Sequence, residues 1–241
     1  MRRYWLLAGL VALLVTACSG DSRQDPVIDP GDGGNYAPVI DAANFVAQID
    51  NPYLPLIPGT RWSYQSTDGV ETTEVEVLAD TREILGITAT IVHDTVYEDG
   101  EVIEDTFDWF AQDSEGNVWY LGEDSKEYED GKVVSTSGSW EAGVDGAQPG
   151  IVMHAAPRVG VGYRQEYYAG EAEDLAQVLK LDAEATVPFG SYQGVVVIQE
   201  WNPLDPDVVE NKYYASGVGV VMEETVRGGD ERVELISFEK P

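Results

Sequence analysis

Cysteine is almost absent: Cys18 is the only one in 241 residues, so the chain holds neither an internal disulfide nor a thiolate metal site. Histidine is nearly as scarce. A zinc site would need His93 and His154 to meet and carboxylates to complete the shell. His93 lies in a strand-like run (TIVHDTV) and His154 in a glycine-rich stretch, so two unrelated histidines are expected, with no metal and no cofactor. Five lysines are found among 14 basic residues, against 44 acidic ones, for a formal net charge of -30. No basic stripe exists to displace counterions, which argues against nucleic acid and anionic headgroups as partners. The acidic excess reads first as solubility in salty surroundings, and as the sharper alternative a sink for divalent cations. The G-x-S-x-G elbow, H-E-x-x-H helix, phosphate loop and dinucleotide fingerprint are all missing. A hydrolase using paired carboxylates stays open, but 44 acidic residues make any pairing arbitrary, and no catalytic residue stands out.

A long hydrophobic run is missing too. The apolar stretch from Tyr4 to Val15 is short of the roughly 20 residues that span a bilayer. It follows Arg2 and Arg3 and ends in Val15-Thr16-Ala17-Cys18, the pattern of a bacterial lipobox. Residues 1–17 are therefore expected to be a signal peptide, and Cys18 the acylated first residue of an extracytoplasmic, membrane-anchored chain. An ordinary secretory signal with a chance cysteine is the alternative, and the lack of any other cysteine weighs against it. Removing residues 1–17 takes the formal charge from -30 to -32. Residues 18–40 are rich in Asp, Gly, Pro and Ser, and read as a flexible acidic tether. Asp21, Asp25, Asp29 and Asp32 there do not match the spacing of a calcium loop.

What is abundant is β-pattern. Residues 105–123 (DTFDWFAQDSEGNVWYLGE) place two strand-like runs around a turn at Asp113-Ser114-Glu115-Gly116. With Asp113 opposite Asn117, Ala111 faces Trp119, Phe110 faces Tyr120 and Trp109 faces Leu121. Phe107, Trp109, Ala111, Trp119 and Leu121 then share one face, and Phe110, Val118 and Tyr120 the other. A hairpin apolar on both faces is covered on both, so this one is central. Asp68-Gly69, Asp99-Gly100 and Asp130-Gly131 punctuate alternating runs on either side. The last third reads as five further strands, and a Gly228-Gly229 turn would set Met222 against Leu235 but Glu223 against Glu234, a like-charge pair. Asp41 begins a short helical stretch. Residues 51–58 carry three prolines, so they run extended across the sheet or along its edge. The expectation is all-β with minor α: one domain, 41–241, an antiparallel meander forming a curved sheet or partly open barrel.

Residues 139–162 break the rhythm with five glycines and two prolines. Loops of this length inside a compact domain are usually functional or serve as covers. This one gathers Trp140, Glu141, Asp145, His154 and Arg158, the expected ligand-binding set. Asp105 is the other oddity, because alternation puts it beside Phe107 and Trp109, where a charge is costly unless paired or at the rim.

Three stretches carry a resemblance: Gly59-Thr60-Arg61-Trp62-Ser63-Tyr64; Val187-Pro188-Phe189-Gly190-Ser191-Tyr192; and Tyr213-Tyr214-Ala215-Ser216-Gly217-Val218-Gly219-Val220-Val221. Together they resemble a group of largely uncharacterised exported bacterial proteins, similar in turn to the half-barrels of Lol-type lipoprotein carriers. The resemblance implies a curved antiparallel sheet and brings no catalytic residues. By fold analogy it implies a binding module for a small apolar or amphipathic ligand. The alternatives are a structural or protein-interaction lipoprotein of the envelope and a carboxylate-dependent hydrolase.

Overall fold

A computed structural model describes residues 27–241. The signal peptide and Cys18 lie outside the described residues. Asp41 caps a 3-10 turn (Ala42–Asn44), its carboxylate accepting the Ala43 amide at 3.0 Å. Strands follow as β1 (Phe45–Val46), β2 (Arg61–Ser66), β3 (Glu71–Ile84), β4 (Ile87–Glu98), β5 (Glu101–Asp113), β6 (Val118–Glu129), β7 (Lys132–Ser135) and β8 (Trp140–Glu141). The second half supplies β9 (Gln148–Met153), β10 (Gly162–Arg164), β11 (Glu166–Tyr167), β12 (Leu175–Val187), β13 (Gly190–Trp201), β14 (Val209–Ala215), β15 (Gly219–Arg227) and β16 (Arg232–Glu239).

Their order is β10-β12-β13-β14-β15-β16-β2-β3-β4-β5-β6-β9-β11, antiparallel throughout, so the first long strand lies beside the last. Residues 162–167 supply both ends of this path. Gly162 to Arg164 pair with β12, and Glu166 and Tyr167 pair with β9, so one short segment changes partner at Gln165 and joins the two ends into a barrel. The crossing depends on Gly150. A Cβ there would stand 2.2 Å from the carbonyl carbon of Gln165. Gly150→Ala should therefore push the seam apart and cost on the order of 3 kcal/mol, measurable as a lower midpoint in urea with an unchanged slope.

The central hairpin has the expected register as far as Ala111 opposite Trp119 and Phe110 opposite Tyr120. Beyond it a bulge sets Trp109 against Gly122 instead of Leu121. Gly122 (φ +131°) sits there because a Cβ would meet the Trp140 carbonyl oxygen at 2.3 Å. One extra residue inverts the alternation of β6. Val118 and Tyr120 point inward before the bulge, and Glu123, Ser125 and Glu127 are buried after it. The hairpin is covered on both faces: Phe45 packs edge-on to Trp119 outside, and the Arg82 guanidinium lies 4.0 Å above the Trp109 ring.

Three other expectations change. The turn between β15 and β16 is longer than two residues, so Met222 faces Glu234 and Glu223 faces Val233, which removes the like-charge pair. Residues 139–162 are not a loop: β8 and β9 pair with β6 and form barrel wall. The tether is shorter than expected, because part of 18–40 is seated on the barrel. Ile28 is 1% exposed against Leu175, Trp201 and Val209, and Asp32 takes the Arg164 guanidinium at 2.6 Å.

Residues 51–58 plug one end of the barrel. Leu54 and Leu56 are buried in the same core as Trp62, Tyr64 and Phe110. The plug is tied down by the Asn51 side chain, which donates to the Gly116 carbonyl at 2.8 Å, and by the Gln112 side-chain oxygen, which accepts the Asn51 amide at 2.8 Å.

Candidate functional site: an acidic chamber

Inside the barrel the alternation of β3 to β6 gathers carboxyls. Glu71 on β3, Asp94 on β4, Glu104 and Asp108 on β5, and Glu123 and Glu127 on β6 are all buried. Strand register places them in rungs: Glu104 faces Glu127, Thr106 faces Ser125, and Asp108 faces Glu123. On the other side of Thr106 is Asp94, and on the other side of Asp108 is Val92. Glu223 and Glu200 stand on the β13–β15 wall with Lys212, whose ammonium lies 2.6 Å from Glu200 and 3.8 Å from Glu223. The other buried base, Arg164, belongs to the seated N-terminal segment through Asp32. Among the described residues Lys212 is thus the one buried basic side chain that serves the chamber.

Burial, a charged group's loss of water, is the main force on this set. It pushes Glu71 and Asp108 each up to about 7, although Tyr120 and Lys212 work in the opposite direction on Asp108. Burial first, and neighbouring carboxyls second, push Asp94, Glu104 and Glu123 well above the ordinary carboxylate range. Burial also opposes the Lys212 charge, but Glu200 and Glu223 outweigh it and hold the ammonium protonated.

Hydrogen bonds do not satisfy this wall. The Tyr120 hydroxyl donates to Asp108 Oδ1 at 2.6 Å and has no second proton for Glu123, although it lies close to it. Both oxygens of Asp94, both of Glu123 and Oδ2 of Asp108 are buried without a partner. A cavity of about 30 Å³ on the plug side of the chamber, bounded by Leu54, Phe110, Tyr120, Glu166, Glu200 and Lys212 and by none of Asp94, Asp108 and Glu123, leaves room for roughly two water-sized groups.

At the end opposite the plug the barrel opens. A mouth of about 440 Å³ lies among the turns after β2, β4 and β15 and is lined by Ser66, Asp68, Glu71, Glu98, Glu231 and Arg232. Glu71 belongs both to this mouth and to the chamber wall. Its rung pairs with Glu98, and four residues further along β3, Val75 pairs with Asp94. The seated segment at Ile28 lies at this same end, since Val209 pairs with Arg227 at the close of β15.

The expected binding set does not assemble. Trp140 is buried, donating from Nε1 to Glu166 at 2.7 Å, and packs edge-on to Tyr120. Glu141, its neighbour, points out to Arg82. Asp145 is exposed in a turn (φ +49°) and Arg158 is exposed. His154 packs edge-on to Tyr163. No hydrogen bond, ion pair or ring contact joins any two of the five. Trp140 alone touches the chamber, as part of its wall.

Asp105 is paired, as its position demanded. Its carboxylate lies 2.6 Å from His93 Nε2, and the His93 ring stacks on Phe107. Thr95 approaches the same nitrogen at 3.3 Å. A nucleophile relay needs the acid and the hydroxyl on different ring nitrogens, so this trio on the outer wall is not one. Among the described residues no group of three or more His, Asp or Glu is arranged to hold a metal ion.

No family model matches this chain, and no curated protein matches it significantly. Two solved structures are similar in fold. One, described as an exported protein with a YmcC-like fold from Bacteroides fragilis, gives a TM-score of 0.48 at 12% identity over 78% of this chain and 99% of that one. The other, described as a lipoprotein from Parabacteroides distasonis, gives 0.42 at 10% identity over the same shares. At these values neither assigns a family or an activity.

Proposed function

We propose that this protein is a lipid-anchored, extracytoplasmic binding barrel without catalytic chemistry, and that its ligand carries a positively charged group into the acidic mouth. The observation that supports it is a barrel plugged at one end and open at the other, with unpartnered carboxyls buried below the opening. Of the two ligand characters expected from the sequence, the purely apolar one finds no room. The apolar space under the plug, beside Leu54, Trp62 and Phe110, is about 40 Å³, whereas drug-sized ligands occupy about 300 Å³ or more. Hydrolysis is disfavoured for a related reason. A carboxylate pair must flank a scissile bond, and the space inside admits only water-sized groups.

The anchor rests on Val15-Thr16-Ala17-Cys18 behind a short apolar run. No helix among the described residues is long and apolar enough to cross a membrane. Cys18→Ser should move the protein from the membrane fraction to the soluble one, or leave it unprocessed. For the binding role, native mass spectrometry of protein from its own host should find a small molecule retained. Val70→Trp, which adds bulk at an exposed mouth position, should abolish retention with thermal unfolding unchanged. Empty protein in repeated preparations would favour a structural envelope role instead.

A further inference from the structure

The folded part of the chain begins well before residue 41. Residues 27–36 cross the outside of the seam near the mouth and are fixed on both sides of it. On one side Ile28 is buried against Leu175, Trp201 and Val209, the mouth-end residues of β12, β13 and β14. In the middle Asp29 lies so close to β10 that a Cβ on Gly162 would stand 2.5 Å from its carbonyl oxygen. Asp32 then takes Nε and Nη2 of Arg164 at 2.6 and 3.3 Å. On the other side the Tyr36 hydroxyl donates to the Pro149 carbonyl at 2.9 Å, and its ring packs edge-on to Tyr167. Burial, close backbone approach, an ion pair and an aromatic contact thus make this segment part of the wall and not of the tether.

The free chain from Cys18 therefore ends at Val27, nine residues on. Nine residues reach at most about 32 Å in any conformation, against about 80 Å for a tether running to residue 40. The barrel is of similar size. β5 has 13 residues, about 43 Å along the strand, and a tilt of about 40° makes the wall about 33 Å tall. The two lengths decide the orientation. With the tether fixed at the mouth end, the plugged end can rest on the bilayer only if the nine residues are drawn out almost straight along the wall. The reverse orientation needs no extension at all.

We propose that the seated segment turns the open mouth toward the membrane that holds Cys18, so that the ligand is exchanged with the lipid–water interface of that same membrane. This rests on the anchor and the binding role proposed above and adds where the ligand is met. The partner surface is a bilayer, and the rim sets its distance. Asp68, Glu98 and Glu231 line the mouth. Anionic headgroups repel such a rim within a Debye length, about 8 Å at physiological ionic strength. The mouth therefore faces the headgroups across a thin layer of water and does not insert.

The test uses full-length acylated protein added to preformed phosphatidylcholine vesicles with an acceptor dye on a small fraction of the headgroups. Acylation consumes the Cys18 thiol, so a single introduced cysteine carries the donor dye. The two sites are Val70→Cys at the mouth and Glu115→Cys in the turn between β5 and β6 at the plugged end, both exposed positions. Energy transfer should be at least about twofold stronger from position 70, because the two labels differ by about a barrel height in distance from the bilayer. Inserting about sixteen Gly and Ser residues between Gln24 and Asp25 extends the reach to about 90 Å without touching the barrel, and should bring the two signals together. Ile28→Ala combined with Asp32→Ala should do the same by unseating the segment; the insertion carries the test if that variant does not fold. Equal transfer from the two positions, or stronger transfer from position 115, in membrane-bound protein would overturn the orientation and leave the anchor standing. A difference that survives the insertion would overturn the role of the short tether. Protein left in solution, with no transfer from either position, would overturn the anchor and this inference with it.

Discussion

Unliganded protein should become less stable as pH rises from about 4.5 to about 8, the reverse of ordinary acid denaturation. A carboxyl whose value is raised by folding contributes stability that is complete below its unfolded value and is lost as pH climbs through its folded value. Glu71 is pushed from 4.5 to about 7 and Asp108 from 3.8 to about 7, mainly by burial. For Glu71 alone the difference is on the order of 3 kcal/mol. Asp32, held low by Arg164, and Asp113, held low against its burial by Trp119 and Asn117, act with the opposite sign. Their contribution is lost only as pH falls below about 4, so the optimum should lie near pH 4 to 5. Circular dichroism melts at pH 5 and pH 8 in equal salt should differ by about 10 °C or more. A higher melting temperature at pH 8 would mean that the carboxyls are solvated or compensated in a way the fold does not reveal.

Lys212→Met should have the largest effect of any single surface-neutral change. Removing one partner of a buried ion pair costs about 3–5 kcal/mol, because the other charge stays behind. Here the loss is shared: Lys212 also lowers Asp94, Asp108, Glu210 and Glu223, all raised by burial. The cost should therefore depend on pH, near its full size at pH 8 and a small fraction of it at pH 5, where these carboxyls take protons. Urea titrations at the two pH values would measure both numbers. An equal loss at both would assign the role of Lys212 to packing of its methylene stem and would remove charge balance from the account of the chamber.

Much of the wall was legible from the residues, and the chamber was not. Asp-Gly turns and period-two runs predicted the hairpins, and the turn at Gly116 fixed the register of β5 and β6 correctly through Ala111 and Phe110. The same alternation put Asp108, Thr106 and Glu104 on the face of Phe110, yet Asp105 drew notice because it stood beside Trp109. Asp105 proved to be an outer residue paired with His93. Glu123 could not be read, since simple alternation from Tyr120 sends it outward. Only the bulge at Gly122 turns it in, and that glycine is explained by the backbone of Trp140, 18 residues further on. Residues 139–162 misled for a similar reason. Gly150 and Pro149 look like loop signals, but Gly150 is a place where two backbones nearly touch. Nonlocal close approach leaves a glycine in the sequence without saying what it approaches.

The short seam has a further consequence. On the edge of β12 away from β13, Gly162 to Arg164 pair with Leu175 to Gln177 and the Gly160 amide reaches the Val178 carbonyl, so among the described residues the stretch from Leu179 to Val187 has no strand beside it on that edge. Such an edge invites a strand from another molecule. The exposed stretch answers with Lys180, Asp182 and Glu184, and with register shifts at Lys180, Ala183 and Glu184 that break the regular spacing a visiting strand would need. Charge and irregularity together make this edge of the barrel a poor template for aggregation.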